Sequence, residues 1–131
     1  MTKYDVLMDA DEWQHRVFEN KHDCINDWLR RKHSTGNSRR TLNAYSRAAC
    51  RFFHDFIPDT APQDVAVGDI EAYVLELQDR EVAQNTKRRY VESLSAFYTW
   101  AMKRPPFEDI MGNPAAVVLE ELPKQNLREL F

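Results

Sequence analysis

The sequence predicts an all-α fold, a compact bundle of four to five helices. Apolar residues recur at helical spacing along most of the chain, and no stretch alternates with a period of two. No Asn-Gly or Asp-Gly pair suggests a hairpin. The chain has 131 residues, 43% of them hydrophobic, which suits one domain around one core. We therefore expect a single domain over residues 1–131.

The first helical segment is predicted to begin at Asp9 or Asp11, either of which suits a helix N-cap, and to end at His33. The residues before it are expected to form a loose terminus. The pattern fits one long helix or two short ones with a break between Asn20 and His22. The apolar positions are Trp13, Val17, Cys24, Ile25, Trp28 and Leu29.

The second helix has the clearest pattern and is predicted over residues 39–57. It follows a loop at residues 34–38, where Gly, Asn and three hydroxyl residues are concentrated, and Ser38 is its expected N-cap. Pro58 ends it. Because its apolar residues form one stripe, this face is expected to pack on the core. The stripe consists of Leu42, Tyr45, Ala49, Phe52, Phe53 and Phe56.

Three further helices are predicted. The third covers residues 69–80 and is short and acidic; the fourth covers residues 83–103 and ends before Pro105. A short last helix starts at Asn113-Pro114, where Asn can cap and Pro can occupy the first turn, and reaches about Glu121. The inward residues are Ile70, Tyr73, Val74 and Leu77 on the third helix, and Ala83, Tyr90, Val91, Leu94, Phe97, Tyr98 and Ala101 on the fourth.

Charge is segregated along the chain. The net charge of −3 and the pI near 5.8 alone argue against a nucleic-acid partner. Residues 28–54, however, contain seven Lys or Arg and no acid, whereas residues 55–85 contain eight acids and only Arg80. Residues 86–104 are basic again, with five cations against Glu92. An acidic chain can thus present a basic face.

A basic ridge is predicted on the second helix. Arg40, Arg47 and Arg51 fall within about 40° of one another, opposite the apolar stripe, with Asn43 and His54 beside them. Arg offers a planar fork of donors that suits phosphate or the guanine edge. A charged outer helix face can also be merely solvated, so a single Arg says little.

The start of the fourth helix carries a second polar group. Helix N-termini favour anions, which makes phosphate a natural ligand there. Two helices of the same polarity, separated by an acidic one, favour DNA binding. The residues are Asn85 and Arg88 on the outward side, Thr86 in the first turn, and Lys87 and Arg89 flanking them.

Four motifs follow one another between about residues 24 and 124. They are Ser38-Arg39-Arg40-Thr41-Leu42-Asn43-Ala44-Tyr45 with Arg51-Phe52-Phe53-His54-Asp55-Phe56; Val67-Gly68-Asp69-Ile70-Glu71-Ala72-Tyr73; Asn85-Thr86-Lys87-Arg88-Arg89-Tyr90-Val91-Glu92-Ser93-Leu94-Ser95-Ala96-Phe97-Tyr98-Thr99-Trp100; and Asn113-Pro114 with Pro123-Lys124. In this order and spacing they resemble the N-terminal core-binding, or SAM-like, domain of tyrosine recombinases of the phage-integrase family.

The resemblance implies a fold, a partner and a set of contacts. It implies a compact orthogonal bundle over about residues 10–121, with residues 122–131 beginning a linker toward a catalytic domain. It also implies that the domain clamps double-stranded DNA and meets other recombinase protomers there. The implied core is Tyr45, Phe52, Phe53, Leu94, Phe97 and Tyr98, and the implied DNA contacts are Arg39, Arg40, Thr41, Asn43 and Arg47 with Thr86, Lys87, Arg88 and Arg89.

Catalysis is not expected of this chain. The family resembled cuts DNA with a Tyr nucleophile helped by Arg, Lys and His residues, including an H-x-x-R pair, in a second domain. None of His15, His22, His33 and His54 has Arg three positions on. Tyr residues here are expected to be core or rim aromatics. We therefore predict the DNA-binding domain of a site-specific recombinase or integrase, without catalytic residues of its own.

Cofactors, metals and membranes are not expected either. His15 and His22 with Asp23 or Cys24 lack the spacing of known metal motifs, and no small-molecule substrate site is legible. No apolar run approaches the roughly 20 residues of a membrane span, and acids occupy the start, so a cytoplasmic protein is expected. Cys24 and Cys50 are interpreted as small core residues.

A protein-interaction module is the alternative to DNA binding. In that interpretation the acidic third helix and exposed Trp or Met side chains bind a partner helix. It predicts no salt-sensitive binding of DNA.

Overall fold

The computed structural model describes residues 17–124, which form five α-helices and, within that range, no strand. This confirms the predicted all-α bundle. A π-helical segment, Arg51–Phe56, continues the second helix, and short 3-10 turns lie at Pro62–Asp64 and Phe107–Asp109. The α-helices are α1 (Asp23–Ser34), α2 (Arg39–Cys50), α3 (Val67–Asp79), α4 (Gln84–Ala101) and α5 (Pro114–Glu121).

Helix α1 begins after extended backbone at His22, where the sequence allowed a break. Two amides stabilise the chain just before it: the Asn20 N–H donates to Asn26 Oδ1, and Asn26 Nδ2 donates to the Asn20 carbonyl, both at 2.8 Å. The predicted start at Asp9 or Asp11 lies outside the described residues.

Helix α2 has the predicted N-cap, since Ser38 Oγ accepts from the Thr41 N–H at 3.2 Å. The predicted single α-helix over residues 39–57 is wrong beyond Cys50. From there the backbone N–H groups bond the carbonyl five residues earlier, as in a π-helix, instead of the carbonyl four residues earlier. In this wider turn both Phe52 and Phe53 are fully buried, with their ring centroids 5.0 Å apart. The π-helical turn thus brings two consecutive aromatic rings into the core.

The remaining helices lie close to their predicted bounds. Helix α3 starts at Val67, two residues early, and Asp69 Oδ2 accepts from the Ala66 N–H at 2.8 Å. Helix α4 ends at Ala101, two residues before the predicted end. Asn113 caps α5 as predicted: its Oδ1 accepts from the N–H groups of Ala115 and Ala116, each at 3.0 Å.

The core is an aromatic cluster shared by α1, α2 and α4. Phe97 is its centre, with ring centroids at 5.4 Å from Trp28, 5.9 Å from Phe53 and 5.7 Å from Phe107. The residues implied as core are buried except Tyr45, which is half-buried and stacks on Trp28 at 4.9 Å. Burying these rings supplies most of the stabilisation that holds the helices together.

Several expected core residues lie nearer the surface. Ala83 is exposed, and Val74 and Tyr90 are half-buried. Cys24 and Cys50 are also half-buried, unpaired thiols rather than full core residues, because each lies at the edge of its helix's apolar face. Burial raises the pKa of Cys24 to about 11 and also raises that of Cys50. Both thiols are therefore protonated at neutral pH.

No helix within residues 17–124 combines the length and the apolar character that crossing a membrane requires.

Candidate nucleic-acid interface

Two arginines stand on the outer face of α2. Arg40 and Arg47 are exposed, and neither forms an ion pair with any described residue. Leu42 and Ala49, on the other side of the helix, are buried against the core. Seven residues of α-helix separate the two cations by about 10 Å along the axis. Their guanidinium groups are therefore available to an external ligand.

Arg51 extends this row to the junction with the π-helical segment. It is exposed, and its guanidinium carbon lies 5.5 Å from the ring centroid of Tyr90 on α4. It also lines a small cleft toward α3, with Tyr73 and Arg80 among its neighbours. Arg51 thus brings the end of α2 next to the first half of α4. We call Arg40, Arg47 and Arg51 the arginine row.

Three predicted contacts on α2 are half-buried: Arg39, Thr41 and Asn43. Thr41 takes part in the helix cap, because its Oγ1 lies 3.1 Å from the Ser38 hydroxyl that also accepts from its N–H. All three belong to the first five residues of α2 and lie near Arg40.

His54 is not beside the arginine row, where it was expected. Its Nε2 lies 3.1 Å from Asn20 Oδ1, and its ring centroid is 6.2 Å from that of His22. Burial and the nearby charge of Lys21 lower the pKa of both histidines. The two rings are therefore neutral at pH 7 and add no positive charge to the surface.

The first turns of α4 present a smaller polar surface than predicted. Arg89 is exposed, and Asn85 and Thr86 are half-buried. A depression of about 140 Å³ lies there, lined by Asn85, Arg88, Arg89 and Glu92. Ala83 precedes the helix and has no side chain that could cap it. The N–H groups of this first turn therefore lack a side-chain acceptor from the cap position.

Lys87 lies inside the fold and not on the outward face. It is only 4% exposed, and its Nζ donates to Gln78 Oε1 on α3. A lysine can bury its aliphatic stem while its ammonium reaches a polar acceptor, and here that acceptor is a neighbouring amide rather than water. Lys87 consequently joins α4 to α3.

Arg88 is bound by the protein itself. Its side chain is 22% exposed, and Nε forms an ion pair of 2.9 Å with Glu92 Oε1. Its Nη1 donates to the carbonyl oxygens of Leu122 and Pro123, each at 3.3 Å. These three contacts turn the side chain toward the end of α5.

Sequence reasoning missed one exposed cation near this surface. Arg31 is exposed in the last turn of α1, just before the loop that leads into α2. It belongs to the basic stretch of residues 28–54, and that stretch could have identified Arg31 from the sequence. Among residues 17–124, no three His, Cys, Asp or Glu side chains are grouped so as to hold a metal ion.

Comparison with known families gives one match. Residues 25–106 match the family model described as phage integrase, N-terminal SAM-like domain. This match covers more than half of the chain and includes all but the first two residues of α1 together with α2, α3 and α4. No curated protein and no solved structure matches the chain.

Proposed function

Because the chain belongs to the phage integrase N-terminal SAM-like domain family, we propose that it is the DNA-binding domain of a site-specific tyrosine recombinase. In this proposal it clamps double-stranded DNA at the recombination site and meets other protomers assembled there. Cleavage and strand exchange are then the work of a catalytic domain of the parent protein. The domain itself binds the DNA and positions it.

The arginine row is the observation that carries this proposal. Three exposed guanidinium groups follow one another along one side of α2 and its π-helical extension. The DNA backbone carries a negative charge about every 3.4 Å per strand, so cations spaced about 10 Å and about 6 Å along the helix axis can each meet a separate phosphate. A guanidinium can also bind the O6 and N7 atoms of guanine at two points.

Polar side chains around the row complete the proposed surface. Arg39, Thr41 and Asn43 flank Arg40 and supply hydrogen bonds, while Arg89 adds a cation at the start of α4, where the helix dipole favours phosphate. Asn85 and Thr86 stand in the same turn. Lys87 and Arg88 are left out of the surface, since their charged groups bind Gln78, Glu92 and the end of α5.

The proposal predicts modest and salt-sensitive affinity. The chain has a net charge of −3, so the attraction comes from a local cluster and not from the molecule as a whole. Phosphate contacts release counterions, and their contribution falls as salt rises. Binding should therefore be measured at low ionic strength first.

A charge-reversal pair tests the proposal. We expect Arg40→Glu/Arg47→Glu to abolish binding of a fluorescent duplex, followed by anisotropy, without changing thermal stability, because both side chains are exposed. The matched control is Arg30→Glu/Lys103→Glu, which alters the net charge equally at exposed positions outside the proposed surface. Equal binding by the two double variants would contradict the assignment to α2.

A protein-interaction role is the second candidate. Leu75 on acidic α3 is 62% exposed, and Met111 is fully exposed, so apolar side chains are available to a partner. This role becomes the better explanation if the unmodified chain shifts no duplex even at low salt.

A further inference from the structure

Helix α5 is fastened to α4 at both of its ends. At its start, Asn113 Nδ2 donates to the Ser95 carbonyl at 2.8 Å and lies 3.1 Å from Thr99 Oγ1. At its end, Arg88 Nη1 donates to the carbonyls of Leu122 and Pro123. Since the start of α5 meets the later part of α4 and its end meets the earlier part, the two helices run antiparallel.

A second contact, with Glu92, orients the Arg88 side chain toward these carbonyls. The ion pair between Nε and Glu92, one turn along α4, fixes the plane of the guanidinium. With Nε held, Nη1 faces the two successive carbonyl oxygens that follow the last turn of α5. These two carbonyls lie beyond the end of the helix, so no intrahelical N–H serves them, and a guanidinium can bind two of them at once. A lysine ammonium has no such planar fork.

We infer that Arg88 is a positioning residue that holds residues 122–124, which follow the last turn of α5, against the first half of α4. The consequence of this inference for DNA binding rests on the proposed function. Arg89 and Asn85 belong to the proposed DNA surface and lie next to Arg88 in the same depression. The contact therefore fixes the position of residues 122–124 relative to bound DNA.

Hydrogen–deuterium exchange of the 131-residue chain without DNA tests the contact directly. Arg88→Lys keeps the charge but loses the fork, so we expect the hydrogen-bonded amides of residues 119–122 to exchange about 3- to 10-fold faster. The matched control, Arg89→Lys, changes an exposed neighbour and should leave that segment unchanged. Glu92→Gln weakens only the ion pair and should give a smaller increase, which decides the question if Arg88→Lys does not fold.

Unchanged exchange in both Arg88→Lys and Glu92→Gln would overturn the inference. Duplex affinity, measured on the same samples, distinguishes this positioning role from a direct contact between Arg88 and DNA. If Arg88 contacted DNA directly, Arg88→Lys would alter the duplex Kd and leave the exchange rates unchanged. If no variant and no parent chain binds duplex, the proposed function fails, while faster exchange in Arg88→Lys still establishes the contact.

Discussion

The Tyr98 hydroxyl donates a hydrogen bond of 2.6 Å to the carbonyl oxygen of Pro62, 36 residues earlier in the chain. Both residues are buried, and the bond joins α4 to the 3-10 turn that precedes α3. Burial raises the pKa of Tyr98 far above its usual range, so the hydroxyl stays protonated and can donate. The Tyr73 hydroxyl is the contrasting case, because it is buried without a hydrogen-bond partner among residues 17–124.

These two tyrosines should respond oppositely to loss of the hydroxyl. Tyr98→Phe leaves the buried Pro62 carbonyl without its donor and should lower the free energy of unfolding by about 1–3 kcal/mol. Tyr73→Phe removes a hydroxyl that is desolvated by burial without gaining a hydrogen bond. The free energy of unfolding should therefore be unchanged or slightly higher. Urea unfolding followed by circular dichroism measures both. An unchanged free energy of unfolding in Tyr98→Phe would show that the Tyr98 bond does not stabilise the fold.

The salt dependence of duplex binding should report the arginine row. Each phosphate contact contributes about 0.9 to the slope of log K against log salt, so Arg40→Ala/Arg47→Ala should reduce that slope by about 1.8. Arg30→Ala/Lys103→Ala is the matched control, since Arg30 already pairs with Asp27 at 3.6 Å. The same slope in the parent chain and in Arg40→Ala/Arg47→Ala would mean that these residues do not neutralise phosphates.

Lys87 should behave as a structural residue. Lys87→Ala removes the buried stem and the bond to Gln78, and it should lower the free energy of unfolding by about 1–2 kcal/mol. Lys87→Met keeps most of the stem and should cost less. Duplex affinity of Lys87→Met should match the parent chain, whereas Arg89→Ala should weaken it. A Lys87→Met chain that is fully stable but has lost its affinity would return Lys87 to the DNA surface.

Stability should fall as the pH drops below about 6.5. His22 and His54 have pKa values below the ordinary value of a histidine, mainly because they are buried, with Lys21 adding to the effect and Asp55 opposing it at His54. The unfolded chain then binds more protons than the folded chain, so stability present above the unfolded pKa is lost as pH falls through the folded pKa. Urea midpoints at pH 7.5 and 5.5 measure this loss.

The double variant His22→Gln/His54→Gln tells whether these two rings are responsible. It should lose less stability than the parent chain between the two pH values. An equal loss in both proteins would assign the effect to other groups.

Local signals in the sequence carried the prediction of the fold. The hydroxyl of Ser38 and the Asn113-Pro114 pair are helix-start signals that act within three residues, and both caps form as predicted. The apolar stripes of α2 and α4 predicted the core because they too depend only on the spacing of residues within one helix. The π-helical segment could not be predicted, because the spacing of apolar residues over six positions does not distinguish an α-helical turn from a π-helical one.

The site was harder to predict because its details depend on distant residues. Lys87 reaches Gln78, nine residues away, and Arg88 reaches Leu122, 34 residues away. A helical pattern shows which way a side chain departs from its own helix, but it does not show which neighbour receives it. Arg40 and Arg47 were predictable, since both are exposed and no element within residues 17–124 covers their side of α2.

The separation of charge between helices has a consequence for how the domain approaches a polyanion. Exposed cations on α2 and exposed acids such as Glu71 and Asp79 on α3 separate positive from negative charge, and this separation gives residues 17–124 an electric dipole moment. Under the proposed function, the field of DNA would rotate such a dipole before contact and would disfavour encounters made with α3 leading. The acids that lower the overall attraction would then select the orientation in which the domain arrives.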